Sequence, residues 1–272
     1  MLIIKKTGLP MHKEKKIWLL TILLLTPILT IRAQYDDLGC QVGVELDKKL
    51  AKHLRLEIAE EMRTRDNMSA IDRLATNIGV RWEVLPWLNL NGGYVFLVDH
   101  RKHISHYKEG DREVLKGMAE VGDRKNLREF WGVRNRAYAS FTVSKQWGDF
   151  KLSLRERWQY SYQVERIAEE RYNYVYNKSD KVPHLYHGKA QHYLRSRLMA
   201  TYKPKDLSVK PYASVETYNA WALEKVRYTL GAEWKLNFRH TLDAFYRYVY
   251  ESEHDDDDPC RHIIGLTWQV KI

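Results

Sequence analysis

Residues 150–165 read FKLSLRERWQYSYQVE, and their side chains sort into two chemically different sets at a spacing of two. Phe150, Leu152, Leu154, Trp158, Tyr160, Tyr162 and Val164 hold one set of positions. Lys151, Ser153, Arg155, Arg157, Gln159, Ser161 and Gln163 hold the other. A strand turns successive side chains to opposite faces, so this ribbon meets apolar material on one side and water or polar groups on the other. It is also long against the ~5–6 residues of an ordinary globular strand.

The pattern repeats in both directions along the chain. Leu54, Leu56, Ile58 and Met62 alternate with Arg55, Glu57, Ala59, Glu61 and Arg63, and Leu74, Ile78, Val80, Trp82 and Val84 with Arg73, Asn77, Arg81 and Glu83. Downstream, Ala137, Ala139, Phe141 and Val143 oppose Arg134, Arg136 and Tyr138. Leu194, Leu198 and Ala200 oppose Arg195 and Arg197, and Val226, Tyr228, Leu230 and Trp234 oppose Arg227, Thr229 and Glu233. Segments starting near residues 53, 70, 88, 131, 149, 191, 208, 224, 240 and 261 give ten strands of this kind, and 41–47 is an eleventh candidate. Within 88–98, Asn91-Gly92-Gly93 weakens the alternation and suggests a bulge or sharp bend.

Connections near 48–52, 85–87, 146–149, 204–207 and 237–240 are short, while those at 64–69, 99–130, 166–190, 219–223 and 252–260 are longer or more charged. Short turns at one end and longer loops at the other are the layout of an outer-membrane barrel. Trp82, Trp87, Trp147, Tyr202, Trp234, Tyr250 and Trp268 lie toward strand ends, where aromatic girdles meet lipid headgroups. The expected fold is therefore an all-β, antiparallel up-and-down transmembrane β-barrel of about ten strands. Bacterial single-chain barrels normally hold an even number, which makes twelve, with a strand hidden in 99–130, the alternative. A secreted soluble β-barrel binding protein, oily inside and Arg-rich outside, is the competing arrangement.

The start of the chain fits export. Lys5, Lys6, Lys13, Lys15 and Lys16 precede the apolar run 17–31, and Arg32, Ala33 and Gln34 follow it, which reads as a signal peptide over 1–33 and a barrel domain over 34–272. The run is shorter than the ~20 residues of a membrane-spanning helix. Residues 1–33 hold six Lys/Arg and one Glu, so cleavage lowers the formal charge from +10 to about +5, and no nucleic-acid partner is expected. Cys40 and Cys260 flank the barrel segment and would pair or stay as thiols in an oxidising compartment.

In these residues the chain resembles the bacterial outer-membrane proteins grouped as domain of unknown function 2490. The likeness is carried by the Leu-Arg-Glu-Arg core of 151–158, by Pro211-Tyr212-Ala213-Ser214-Val215-Glu216, by Arg227-Tyr228-Thr229-Leu230-Gly231 and by Leu242-Asp243-Ala244-Phe245-Tyr246-Arg247-Tyr248. The resemblance implies an outer-membrane barrel in a Gram-negative bacterium. It brings no reaction and no ligand.

The polar faces collect Arg73, Arg81, Arg134, Arg136, Arg155, Arg157, Arg195, Arg197 and Arg227 with Glu57, Glu83, Glu216 and Glu233, the candidate lining of a lumen. A narrow barrel can fill its bore with an Arg/Glu/Tyr network, the favoured arrangement here, or keep an Arg-rich passage for small anionic solutes. Expected partners are outer-membrane lipid, lipopolysaccharide and the barrel-insertion machinery. No cofactor, resident metal or enzymatic activity is expected. The enzymatic alternative, an outer-membrane esterase or deacylase, would use Ser105 beside His100, His103 and His106, although no Gly-flanked nucleophile elbow is present. Those histidines, or His254 with Asp255, Asp256, Asp257 and Asp258, are the residues a metal would use; solvated loops are the plainer account of both.

Overall fold

A computed structural model describes residues 37–205, 207–251 and 260–272. The expected leader, most of the loop at 252–260 and the 254–258 acidic cluster lie outside the described residues. The strands are β1 (Asp37–Ala51), β2 (Leu54–Arg65), β3 (Ala70–Leu85), β4 (Leu88–His106), β5 (Arg124–Trp147), β6 (Phe150–Gln163), β7 (Arg166–Asn173) and β8 (Lys178–Tyr186). They continue with β9 (Lys189–Tyr202), β10 (Val209–Asn219), β11 (Leu223–Lys235), β12 (His240–Glu251) and β13 (Arg261–Lys271). A single helical turn, α1 (Arg112–Leu115), sits between β4 and β5.

Eleven of these strands close on themselves in the order β1-β2-β3-β4-β5-β6-β9-β10-β11-β12-β13, with β4 bonded to β5 and β13 bonded back to β1. The count is eleven, neither ten nor twelve. Segment 41–47 is the centre of β1, a full wall strand, and 99–130 hides no further one: it is the extended arms of β4 and β5 around a loop at 107–123. The odd number has a geometric consequence. Neighbouring up-and-down strands alternate in direction, so the first and last of eleven run the same way, and the seam between β1 and β13 is parallel, from Asp37↔Arg261 to Asp47↔Lys271. Every other pairing in the wall is antiparallel.

Two strands stand outside the ring. The hairpin of β7 and β8 continues from the upper arm of β5 through Asn126↔Asn173 and Leu127↔Tyr172. Segment 166–190 is thus largely a hairpin rather than an open loop. At the same end, 66–69 and 220–222 are tight turns, so among the described residues the contrast in loop length rests on 107–123 and on the hairpin. No bulge interrupts β4 at residues 91–93: its register with β3 and β5 is continuous there.

The two faces decide between the arrangements left open by the sequence. Large apolar side chains point away from the bore and are about half exposed, among them Leu74, Ile78, Leu198, Trp82 and Trp234. Gln41, Asp47, Glu57, Asp99, Gln159, Arg195, Glu216 and Thr229 are buried. A soluble barrel needs the opposite. The oily face is outside, and the soluble alternative is corrected on that ground. Trp82, Trp87, Trp147, Tyr202, Trp234 and Trp268 ring the short-turn end, with Tyr250 at the other.

Inside the wall, aromatic side chains lie close over glycines. Tyr138 covers Gly79 and Gly93, Tyr212 covers Gly231, and Phe245 covers Gly265, where an added Cβ would overlap the ring. This accounts for Gly93 better than a bend does: the missing side chain makes room for the Ile78 carbonyl of β3 and for the Tyr138 hydroxyl. Phe245, Val249 and Ile263, with Tyr212, form a small apolar patch within an otherwise polar interior.

Candidate functional site

The thirteen charged residues expected to line a lumen sit on the inward side of their strands, although β3 breaks the alternation at Asp72, an extra residue beside Arg73. They do not form one ring. Eight of them fall into separate clusters, each built on a carboxylate, of which Glu216, Asp99, Asp47 and Glu57 are buried.

Glu216 of β10 is the densest. Its carboxylate accepts hydrogen bonds from Arg155 of β6, from Arg195 of β9 at 2.9 Å and from the Tyr218 hydroxyl at 3.2 Å, with Arg227 of β11 at 3.9 Å. Arg195 donates its other terminal nitrogen to Gln159 Oε1 at 2.9 Å. The Arg195 and Arg227 guanidinium carbons lie 4.3 and 4.5 Å from the centre of the Tyr218 ring, close enough for cation–π attraction. Asp99 of β4 repeats the motif with Arg134 at 2.7 Å and with Arg73 and Arg101 at 3.5 Å.

Two further clusters line the β1–β3 side. Asp47 holds Arg55 at 2.6 Å, and Glu57 pairs with Arg81 and accepts from Asn91 Nδ2 at 2.8 Å. Glu61 holds Arg63 at 2.6 Å and Gln41 at 2.8 Å, and Gln41 in turn accepts from Arg247 at 3.0 Å. Glu83 and Glu233 face inward near the short-turn end without belonging to these clusters. At the other end a polar cavity of about 50 Å3 opens between Arg63, Asp72, Arg73 and Arg227, room for only a few waters.

Three arginines are left over. Among the described residues, no carboxylate lies within 4.0 Å of Arg136, Arg157 or Arg197. Each also keeps a buried Nε–H without a hydrogen-bond partner. Arg157 does stack over the Tyr138 ring at 4.1 Å.

The other candidate chemistry separates. His100, His103 and Ser105 belong to β4, where a spacing of three puts His100 and His103 on opposite faces, whereas a helix would set them side by side. His100 packs edge-on to Trp131 and His103 against Tyr186, while the Ser105 hydroxyl accepts from Asn126 at 3.3 Å. No serine–histidine hydrogen bond forms there, and among the described residues no three His, Cys, Asp or Glu side chains gather as a metal group. Of the two alternatives for Cys40 and Cys260, the structure has the unbridged one. Both are free thiols, and the seam places Cys40 opposite Ile264, four residues along β13 from Cys260. Strand rise makes that roughly 13 Å, about twice the span a disulfide bridges.

Two residues escaped the reading of alternation. Glu60 and Glu156 occupy apolar-face positions, between Ile58 and Met62 and between Leu154 and Trp158. Each accepts a hydrogen bond from the hydroxyl directly across the ladder: Thr76 to Glu60 at 2.9 Å and Ser196 to Glu156 at 2.6 Å. Glu60 sits in a shallow depression of the outer wall beside Val44, Met62, Leu74 and Phe96. The signal was a carboxylate on an oily face with a Ser or Thr on the oily face of a neighbouring strand.

No curated protein matches the sequence. Two solved structures are similar to the chain at 11% identity. The beta domain of the Bordetella autotransporter Brka covers 81% of this chain and 82% of its own length with a TM-score of 0.46. The translocator domain of the autotransporter NalP from Neisseria meningitidis covers 88% and 91% with a TM-score of 0.49. The sequence profile of the family described as protein of unknown function DUF2490 matches residues 42–259, and the chain belongs to that family.

Proposed function

We propose that the chain is an outer-membrane barrel of a Gram-negative bacterium whose bore is sealed at mid-height by its own charged network. Its apolar wall contacts outer-membrane lipid and lipopolysaccharide, and the barrel-insertion machinery delivers it there. Eleven strands fall between the eight that side chains just fill and the sixteen or more that leave a channel, so the side chains decide the bore. The observation that carries the reading is Glu216, which draws arginines from β6, β9 and β11 to one buried point. Such a network resists the rearrangement a passing solute would require.

Purified protein in a planar bilayer tests this. The expected result is no steady single-channel openings from the native chain, and openings from Glu216→Ala, which removes the hub. A steady, anion-selective conductance from the native chain would overturn the seal and favour a passage for small anionic solutes.

A further inference from the structure

Four of the barrel's arginines form a compact block on two neighbouring strands. In the register of β6 with β9, Arg155 lies opposite Arg197 and Arg157 lies opposite Arg195. All four side chains share the inward face, so directly opposed pairs stand about 5 Å apart at Cβ. Glu216, opposite Arg197 on β10, is the carboxylate of this block, and its oxygens go to Arg155 and Arg195. All four keep a buried, unpartnered Nε–H, but only Arg157, stacked over Tyr138, and Arg197 are left with no carboxylate within 4.0 Å. Like charges held this close in a poorly solvated interior repel one another, and the arrangement calls for a counter-charge that the described residues do not supply.

The wall beside the block carries further hydrogen-bond donors. One row nearer the short-turn end, the ladder places Ser144, Ser153, Met199 and Ser214 side by side on the same inward wall. Three short hydroxyl side chains take little space and can donate to an anion, while the Glu216 hub lies beyond them. We propose that Arg157 and Arg197, which lie next to and in the Glu216 row on the inward wall, form a binding site within the bore for a compact phosphate-type oxyanion. Planar guanidinium forks match the spacing of oxyanion oxygens, which is why paired arginines select such ligands over chloride. The site faces the bore, so its ligand is a free oxyanion and not a lipid headgroup. It deepens the sealed-barrel reading by naming what the interior holds, yet it is tested separately from conductance.

The experiment uses the full mature chain refolded in detergent micelles, with inorganic phosphate as probe. Phosphorus NMR is expected to show line broadening that sulfate reverses, and the thermal midpoint is expected to rise in phosphate over chloride at matched ionic strength. The double variant R157Q/R197Q should weaken phosphate binding on the order of tenfold or more, with folding verified by heat-modifiable gel mobility. Should it not refold, R197Q alone carries the comparison. Equal midpoints in phosphate and chloride for the native chain overturn the site, and so does undiminished broadening in a folded variant. A barrel that conducts steadily can still pass this test, which keeps failure of the site apart from failure of the seal.

Discussion

Glu216 sits where guanidinium groups from three strands meet, so removing its charge should harm the barrel more than removing any one of them. Breaking a buried ion cluster leaves uncompensated like charges and costs about 3 kcal/mol or more. Glu216→Gln is expected to lower the urea midpoint of the barrel in lipid vesicles by that order. A variant as stable as the native chain would show that the arginines are solvated independently. Glu60 should behave in the opposite way. It lies on the apolar outer wall, where an acidic side chain in contact with a bilayer would be unfavourable, so Glu60→Leu is expected to raise stability by about 1 kcal/mol. A lower urea midpoint for Glu60→Leu would argue that this face does not meet hydrocarbon. The inward arginines were legible because alternation assigns a face to every residue of a strand. Which carboxylate each would meet was not legible, since Asp99 reaches Arg134 from the next strand while Glu216 reaches Arg155 two strands away.

At the scale of elements, β7 and β8 are the separable part. Their pairing to the rest runs through two residue pairs on β5, with the stacked rings of Phe130 and Tyr186 at 4.7 Å and a bond from Arg128 to the Val182 carbonyl beside them. Replacing residues 166–187 by a short turn should therefore leave the barrel folded, read as unchanged heat-modifiable mobility; loss of that mobility would make the hairpin part of the wall. The loop at 107–123 carries a pH-dependent anchor. Asp111 accepts from Lys125 Nζ at 2.7 Å and from the Lys108 backbone N–H at 2.8 Å, and these bonds hold its carboxyl below the usual aspartate range. A depressed folded-state value means the anchor is fully present above the ordinary aspartate value and is lost as the pH falls through the depressed one. Limited proteolysis in this loop should speed up only at strongly acid pH, and Asp111→Asn should remove that dependence. The alternation gives ten clear strands where the wall has eleven, and the difference has an identifiable cause. The 41–47 segment carries Gly43, Glu45 and Asp47 on its inner face and only Val42, Val44 and Leu46 outside, so it reads as a short piece. Its length comes from pairing on both sides, with β2 and with β13.

At the scale of the whole molecule, the chain is an inverted amphiphile: among the described residues many of its charged and amide side chains are buried in the bore while most of its large apolar ones are exposed on the outer wall. Water would leave a continuous oily wall unsatisfied, and a lipid bilayer is the solvent that matches it. Closure removes every free edge from the wall, as a spanning sheet requires, and the parallel seam is what an odd number of strands demands for that closure. The most direct measurement of this arrangement is cell fractionation followed by gel electrophoresis of heated and unheated samples. The arrangement predicts a protein in the outer-membrane fraction, resistant to alkaline wash, whose unheated form migrates differently from its boiled form. A protein released with the periplasmic contents, with one mobility whether heated or not, would contradict it.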